Sequence, residues 1–129
     1  MRTSVEPALR KTIIVIEPDE AVRTALSAML SQHGWSVLAF DCGSNLVNLE
    51  MTANTLALLC ESDLPDLTAG QVLDFGQSFG VPVIFTSHGQ QVQEAVDLLR
   101  LGARDFLEKP FLPARLLSLL DRLSSSQAS

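Results

Sequence analysis

Hydrophobic residues along this chain come in short runs that alternate with amphipathic segments. The run at residues 13–16 reads IIVI and is apolar on both faces, which is typical of a strand buried in a parallel sheet. Similar apolar runs predict four more strands, at residues 35–40, 56–60, 81–85 and 103–107. Apolar positions at helical spacing predict five helices, at residues 19–34, 41–50, 72–80, 92–102 and 113–123. Alternation of this kind predicts an α/β fold, with a parallel sheet that helices cover on both faces.

The length and composition indicate one folded domain. The chain has 129 residues, of which 47% are hydrophobic and 19% are charged, and this mix excludes a disordered chain. We expect residues 11–123 to form the domain and residues 1–10 to be an N-terminal tail. Residues 124–129 read SSSQAS, which predicts a flexible C-terminal tail.

Charge and cysteine content narrow the function classes. The formal net charge is −6 and no basic cluster is present, which argues against a nucleic-acid-binding surface. The uncharged stretches 24–40 and 75–93 contain glycine, glutamine and histidine, so neither predicts a membrane-spanning helix. Cys42 and Cys60 do not make a disulfide framework. A cytoplasmic protein with reduced thiols is therefore the expectation.

Polar residues follow four of the predicted strands, and these positions predict the functional site. In open parallel sheets, sites lie at the carboxyl ends of the strands. The residues there read EPDE at 17–20, ESDLPD at 61–66, TSH at 86–88 and EKP at 108–110. Such an acidic pocket suits a hard cation such as Mg²⁺ and would repel a phosphate-bearing cofactor. This chemistry argues against flavin or dinucleotide binding.

Three stretches of the chain carry a family resemblance. They read IIVIEPDEAVR at 13–23, VPVIFTS at 81–87, and GARDFLEKPF at 102–111, which has the form Gly-Ala-x-Asp-Phe-x-x-Lys-Pro-Phe. Over roughly residues 11–123 the chain resembles the receiver domain of two-component response regulators. The resemblance implies a flavodoxin-like, doubly wound (βα)5 sandwich with strand order 2-1-3-4-5. It also implies a role in phosphorelay signal transduction, not an enzymatic one.

The resemblance also implies roles for individual residues. Thr86 matches the hydroxyl residue that contacts the phosphoryl group, and Lys109 matches the lysine that pairs with the acceptor carboxylate. Phe106 matches the aromatic switch residue that couples the site to the output face. The bond between Lys109 and Pro110 is expected to be cis, as it usually is in that family.

The acidic turn after the first strand departs from the family pattern. The family has an acidic pair there that holds Mg²⁺, whereas this chain reads Glu17 and Pro18. Glu17, Asp19 and Glu61 are predicted to line the acidic pocket, with Glu17 and Glu61 as the metal-ligand candidates. Because proline has no side-chain ligand, we expect Mg²⁺ binding to be weakened, and no other cofactor is predicted.

The acceptor position departs as well. The family places its acceptor Asp four residues before a proline, and counting back from Pro65 gives Glu61. The loop is lengthened by one residue before the next glycine, so Asp63 is the alternative acceptor, three residues beyond Cys60. A Glu61 carboxylate lies one methylene further from the strand than an Asp carboxylate, and in-line phosphoryl transfer depends on positioning.

These departures predict a degenerate receiver module that is not phosphorylated in the usual way and in which Glu61 imitates the phosphorylated state. Its output would be protein–protein contact, with a signalling protein or a sensor histidine kinase as partner. A homodimer through strand five and the fourth and fifth predicted helices is a further prediction. The alternatives are a conventional receiver that uses Asp63 or Glu61, a small Mg²⁺-dependent phosphatase-like hydrolase, and an inert interaction domain held by a Glu61–Lys109 ion pair.

Overall fold

Five parallel strands form one sheet in the order β2-β1-β3-β4-β5. They are Thr12–Ile16 (β1), Ser36–Phe40 (β2), Thr55–Glu61 (β3), Val83–His88 (β4) and Asp105–Lys109 (β5). This computed structural model describes residues 10–49, 54–89 and 92–128. The predicted α/β class and strand order are both confirmed.

The helices lie in two pairs on the two faces of the sheet. They are Glu20–Gln32 (α1), Ala69–Ser78 (α2), Val92–Leu101 (α3) and Pro113–Ala128 (α4). α1 begins after Asp19, whose carboxylate accepts a hydrogen bond from the backbone N–H of Val22. α2 begins at a capping box between Thr68 and Gln71, which starts this helix three residues earlier than the apolar spacing predicted.

The helix predicted at residues 41–50 is wrong, so the described residues hold four α-helices and not five. Only a single 3₁₀ turn forms, Gly43–Leu46, and neither Asp41 nor Ser44 caps it with its side chain. Asp66, from the loop after β3, accepts hydrogen bonds from the backbone N–H groups of Gly43 and Ser44, at 3.1 and 2.7 Å. A contact with a residue distant in the chain therefore overrides the local helix preference of this segment. Gly43 also adds an entropic cost to any longer helix. Residue 50 lies outside the described residues.

The C-terminal boundary also differs from the prediction. α4 continues to Ala128, five residues beyond the end at residue 123 that the apolar spacing predicted for this helix. Once a helix is nucleated, each further residue adds one backbone hydrogen bond, and serine costs only about 0.5 kcal/mol relative to alanine. Residue 129 and the predicted tail at residues 1–9 lie outside the described residues.

Two apolar layers, one on each face of the sheet, make up the core. The layer under α1 and α4 includes Ile13, Val15, Leu59, Ile84, Leu107, Leu116 and Leu120. The layer under α2 and α3 includes Ile14, Ile16, Leu58, Cys60, Val83, Phe85 and Leu98. β3 is buried along its whole length, because it is the central strand and both layers cover it. The carboxyl end of β3 therefore lies at the centre of the edge where the polar residues collect.

Candidate functional site

A largely buried lysine joins two carboxylates at the carboxyl edge of the sheet. Lys109, the last residue of β5, donates hydrogen bonds from Nζ to Oε1 of Glu17 and to Oε1 of Glu61, the latter at 2.6 Å. The two glutamate side chains are each 2% exposed and the lysine side chain is 11% exposed. We call Glu17, Glu61 and Lys109 the lysine cluster.

The alternation of side chains along parallel strands brings these residues together. Four predicted site residues each lie two positions after a strand residue that packs under α1 and α4, so they continue the same face of the sheet. The pairs are Val15 with Glu17, Leu59 with Glu61, Ile84 with Thr86, and Leu107 with Lys109. Residues that are far apart in the chain therefore converge at one end of one layer.

Backbone groups of the following loops hold the two carboxylates in place. Oε2 of Glu17 accepts the N–H of Asp19, and Oε2 of Glu61 accepts the N–H of Asp63, both at 3.0 Å. The guanidinium of Arg23 donates to the carbonyl oxygen of Glu17 at 2.8 Å, which fixes the turn after β1 from the side of α1. Each carboxylate therefore presents one oxygen to the lysine and the other to its own loop.

The sequence predicted that Asp19 lines the acidic pocket. Its carboxylate does not join the lysine cluster. Its exposed side chain accepts from the N–H of Val22 at 3.0 Å and caps α1, and only its backbone N–H reaches Glu17. A residue directly before a helix is well placed to bond its first turn, and that local bond competes with the pocket. Asp63 is likewise exposed and contacts Glu61 through its backbone N–H.

The residues matched to switch roles lie on both faces of the sheet. Thr86 is 2% exposed and is the register partner of Glu61, and its carbonyl oxygen accepts the N–H of Ser62 at 2.8 Å. Phe106 is half-buried and packs against the layer under α2 and α3. The peptide bond between Lys109 and Pro110 is cis.

Sequence reasoning assigned no role to two residues that contact Glu61. Nδ1 of His88, at the end of β4, lies 3.2 Å from Oε1 of Glu61, although the histidine side chain is 69% exposed. Its position two residues after Thr86, on the same face, was the available signal. The hydroxyl of Ser62 lies 3.5 Å from Oε2 of Glu61 and 3.2 Å from Oε1 of Glu94 on α3. No local pattern connects residues that lie 32 positions apart.

Burial and charge act in opposite directions on the lysine. Burial works to lower the pKa of Lys109, but its hydrogen bonds to Glu17 and Glu61 and the charges of both carboxylates outweigh burial and raise that pKa. Burial also raises the pKa of the Cys60 thiol, and the nearby Glu61 and Glu17 charges raise it further. The lysine is therefore a fixed cation at neutral pH, and Cys60 is a protonated core residue.

In the described part of the chain, hydrogen-bond donors already occupy the carboxylate oxygens that would be offered to Mg²⁺. Within residues 10–49, 54–89 and 92–128, no group of three or more His, Cys, Asp or Glu side chains is placed to hold a metal ion. The lysine ammonium lies between the two carboxylates that a magnesium ion would need, and Pro18 supplies no ligand. The second oxygens of both carboxylates already accept backbone hydrogen bonds.

An apolar groove of about 760 Å³ opens beside the lysine cluster. It lies between α1 and the segment that joins β5 to α4, with Lys109 and His88 among its lining residues. Its apolar wall includes Ala21, Val22, Ala25, Met29, Phe111 and Pro113. Within the described part of the chain, the groove provides an open apolar surface next to the buried charges.

The fold and the strand-end residues agree with the comparison to known proteins. A protein-family model, Response regulator receiver domain, matches residues 13–121. The chain belongs to the response regulator receiver domain family. The family that its motifs resembled is thus confirmed. Receiver domains act in two-component signalling, where they interact with histidine kinases and other signalling proteins.

Two curated relatives are transcriptional regulators. The transcriptional regulatory protein FixJ of Rhizobium meliloti (strain 1021) is 27% identical over 116 residues, which cover 88% of this chain and 56% of FixJ. The transcriptional regulatory protein DltR of Streptococcus agalactiae serotype III (strain NEM316) is 32% identical over 120 residues, covering 91% of this chain and 53% of DltR. The receiver domain therefore spans about half the length of the curated relatives it matches.

Solved receiver structures share the fold. Full-length FixJ from B. japonicum superposes with a TM-score of 0.78 at 26% identity, covering 91% of this chain and 59% of that one. A receiver domain from Clostridium thermocellum gives a TM-score of 0.83 at 16% identity, covering 92% and 97%, and at that identity it supports the fold alone. Among the described residues of this receiver, no helix is long and apolar enough to cross a membrane.

Proposed function

We propose that this receiver domain signals without phosphorylation and that its output is contact with a protein partner. One observation carries the proposal. The lysine that the family pairs with an acceptor aspartate is here held by two buried glutamates, Glu61 at the acceptor position and Glu17 after β1. Lys109 therefore already binds two carboxylates before any phosphoryl group arrives.

The geometry of the acceptor position is unfavourable for phosphoryl transfer. Such transfer depends on positioning and charge neutralisation, and a misplacement near 1 Å costs roughly a hundredfold in rate. The Glu61 side chain is one methylene longer than aspartate, and the carboxylate is turned back onto its own loop at Asp63. Pro18 contributes no metal ligand, so charge neutralisation is weakened as well. Asp63, the alternative acceptor, has an exposed side chain outside the lysine cluster.

We propose that Glu61 imitates part of a phosphorylated aspartate. Its carboxylate binds Lys109 at 2.6 Å, and its strand neighbour is Thr86. Phe106 is half-buried and packs against the layer under α2 and α3, and this packing supports an active-like resting state. The imitation is incomplete, because one carboxylate charge stands for a dianion with three acceptor oxygens. In two-state terms, a built-in charge replaces part of the bias that a phosphoryl group supplies.

The proposed partner is a signalling protein or a sensor histidine kinase. A homodimer through α3, β5 and α4 belongs to the same proposal, although two of that face's acidic residues already have partners within the chain. Asp105 lies 3.5 Å from Arg115, and Asp97 accepts a hydrogen bond from Gln93 at 2.9 Å. Arg100 and Arg104 are exposed and add positive charge to that face.

The test is intact-mass analysis after incubation with a small phosphodonor and Mg²⁺. The wild-type chain, the double variant P18D/E61D and a catalytically competent receiver are treated in parallel. We expect the competent receiver to be labelled and the wild type to remain unlabelled. Labelling of P18D/E61D would attribute the difference to these two positions. A prompt Mg²⁺-dependent adduct on the wild type would overturn the proposal, and peptide mapping would then assign it to Glu61 or Asp63.

Two further measurements address the other readings. Mg²⁺-dependent turnover of a phosphoester by the wild type, lost in Lys109→Ala, would replace the proposal with a phosphatase-like hydrolase. Partner capture compares the wild type with Glu61→Gln under matched folding controls. If Glu61→Gln changes stability and leaves partner binding unchanged, the domain is an inert interaction module and the signalling proposal fails.

A further inference from the structure

The hydroxyl of Ser62 lies between two carboxylates that belong to different parts of the molecule. It is 3.5 Å from Oε2 of Glu61 in the lysine cluster and 3.2 Å from Oε1 of Glu94 in the first turn of α3. A serine hydroxyl carries one proton and donates to one acceptor at a time. The two carboxylates therefore compete for one hydrogen bond.

Side-chain bonds hold α3 near both of its ends, and only one of its residues is buried. Leu98 is its one buried residue, and this helix lies entirely within the described part of the chain. Near its start, Glu94 accepts from Ser62, and at its end the carbonyl oxygen of Leu101 accepts from Gln77 at 2.9 Å. A helix with little buried area opens more readily than the rest of the fold. Each bond at its ends therefore contributes a large share of the free energy that opposes its local opening.

We propose that Ser62 is a switchable link that couples the charge at Glu61 to the anchoring of α3. In the structure the shorter distance is to Glu94, so the hydroxyl ties α3 to the loop after β3. When the Glu61 carboxylate lacks other hydrogen-bond donors, the Ser62 hydroxyl rotates and donates to Glu61. Its hydrogen bond to Glu94 is then lost. When Glu61 is neutral, the hydroxyl is committed to Glu94, since hydrogen bonds to charged acceptors are roughly twice as strong as those to neutral ones.

This inference goes beyond the proposed function and does not depend on it. It concerns the unphosphorylated chain alone, and it runs through Ser62 on the loop after β3, not through Thr86 or Phe106. It names α3 as the element whose anchoring follows the charge at the acceptor position. Because the test uses no phosphodonor, its failure and the failure of the phosphorylation proposal give separate results.

The experiment is amide hydrogen exchange of the full chain, followed at residues 96–101 of α3 and referenced to the buried amides of β1. We expect Ser62→Ala to speed α3 exchange by about fivefold, and Glu61→Gln to slow it by about threefold. In the Ser62→Ala background, Glu61→Gln should have no further effect on α3. Gln77→Ala, which frees the other end of the helix, should speed α3 exchange and leave the Glu61→Gln effect intact.

Two outcomes overturn the proposal. One is unchanged α3 exchange in Ser62→Ala while β1 protection stays at the wild-type level. The other is an equal Glu61→Gln effect with and without Ser62. If Ser62→Ala does not fold, Glu94→Gln weakens the same bond from the α3 side, and it should speed α3 exchange and blunt the Glu61→Gln effect. Failure of Glu94→Gln to do both also overturns the proposal.

Discussion

Replacing Lys109 with methionine removes the only cation within hydrogen-bond distance of both buried glutamates among the described residues. Methionine has a side chain of similar length without the ammonium. The variant removes the ammonium that both Glu17 and Glu61 bind, although each glutamate is only 2% exposed. The ring of His88, whose side chain is 69% exposed, then remains as a partner beside Glu61. Burying uncompensated charge is among the few single changes that destabilise a domain severely.

The size of the effect follows from the burial of the pair. Removing one partner of a buried ion pair costs about 3–5 kcal/mol, and the reduction that applies to exposed pairs is small because the Lys109 side chain is only 11% exposed. For a domain of this length, each kcal/mol lowers Tm by about 3–5 °C. We therefore expect Lys109→Met to lower Tm by roughly 10–20 °C.

The assay is denaturant and thermal unfolding of the wild type, Lys109→Met and the triple variant K109M/E17Q/E61Q. The triple variant removes both carboxylate charges, so we expect it to recover most of the lost stability. Lys11→Met is the matched control at the opposite end of β1, with an expected change within about 0.5 kcal/mol. The reasoning is refuted if Lys109→Met stays within about 1 kcal/mol of the wild type, or if the triple variant is no more stable than the single one.

The stability lost in Lys109→Met should also depend on pH in a definite direction. Because the pKa of Lys109 is raised above its ordinary value of 10.5, its contribution to stability is fully present below that pH. It is lost as the pH rises through the higher pKa of the folded state. The stability difference between wild type and Lys109→Met should therefore be constant from about pH 6 to 9 and shrink above about pH 10.5.

Three further predictions concern other parts of the fold. Gly76→Ala should destabilise the domain by about 1–3 kcal/mol, because a Cβ there would lie 2.9 Å from the carbonyl oxygen of Val81. Gly70→Ala, whose new Cβ would have its nearest atom at 3.8 Å, should stabilise the domain by up to about 1 kcal/mol in the same unfolding assay. Burial works to raise the pKa of Asp66, but hydrogen bonds from the 3₁₀ turn lower it below 3.8, so the Tm loss in Asp66→Asn should be present at pH 7 and disappear as the pH falls below that value. A thiol reagent at pH 8 should label the half-buried Cys42 in the native chain and leave Cys60 unlabelled until denaturation, and equal labelling of both in the native state would contradict its burial.

Local pattern was enough to predict most of the fold. The run at residues 13–16 predicted β1 because β-branched residues that are apolar on both faces suit a strand covered by two layers. The helix prediction for residues 41–50 was wrong because the conformation of this segment depends on Asp66, more than 15 residues away. The Asp66 carboxylate accepts hydrogen bonds from the first N–H groups of a 3₁₀ turn. Helix signals in short segments are weak enough for one such long-range contact to override them.

The candidate site divides in a similar way. The predicted strands and the rule that sites lie at their carboxyl ends were enough to place Glu17, Glu61 and Lys109 at one edge of the sheet. The choice between Glu61 and Asp63 stayed open in the sequence, since the loop is lengthened by one residue. The structure buries Glu61 in the lysine cluster and leaves Asp63 exposed.

The sequence by itself determined the α/β class, the set of polar residues at the strand ends and the two departures at Pro18 and Glu61, because these depend on residue identity and local periodicity. Only the tertiary structure decided that one lysine is shared by two glutamates and that Ser62 bridges Glu61 to α3. Which side-chain atoms share a hydrogen bond depends on distances of a few tenths of an ångström between distant segments. Those distances are set by how the layers pack, and no local pattern encodes them.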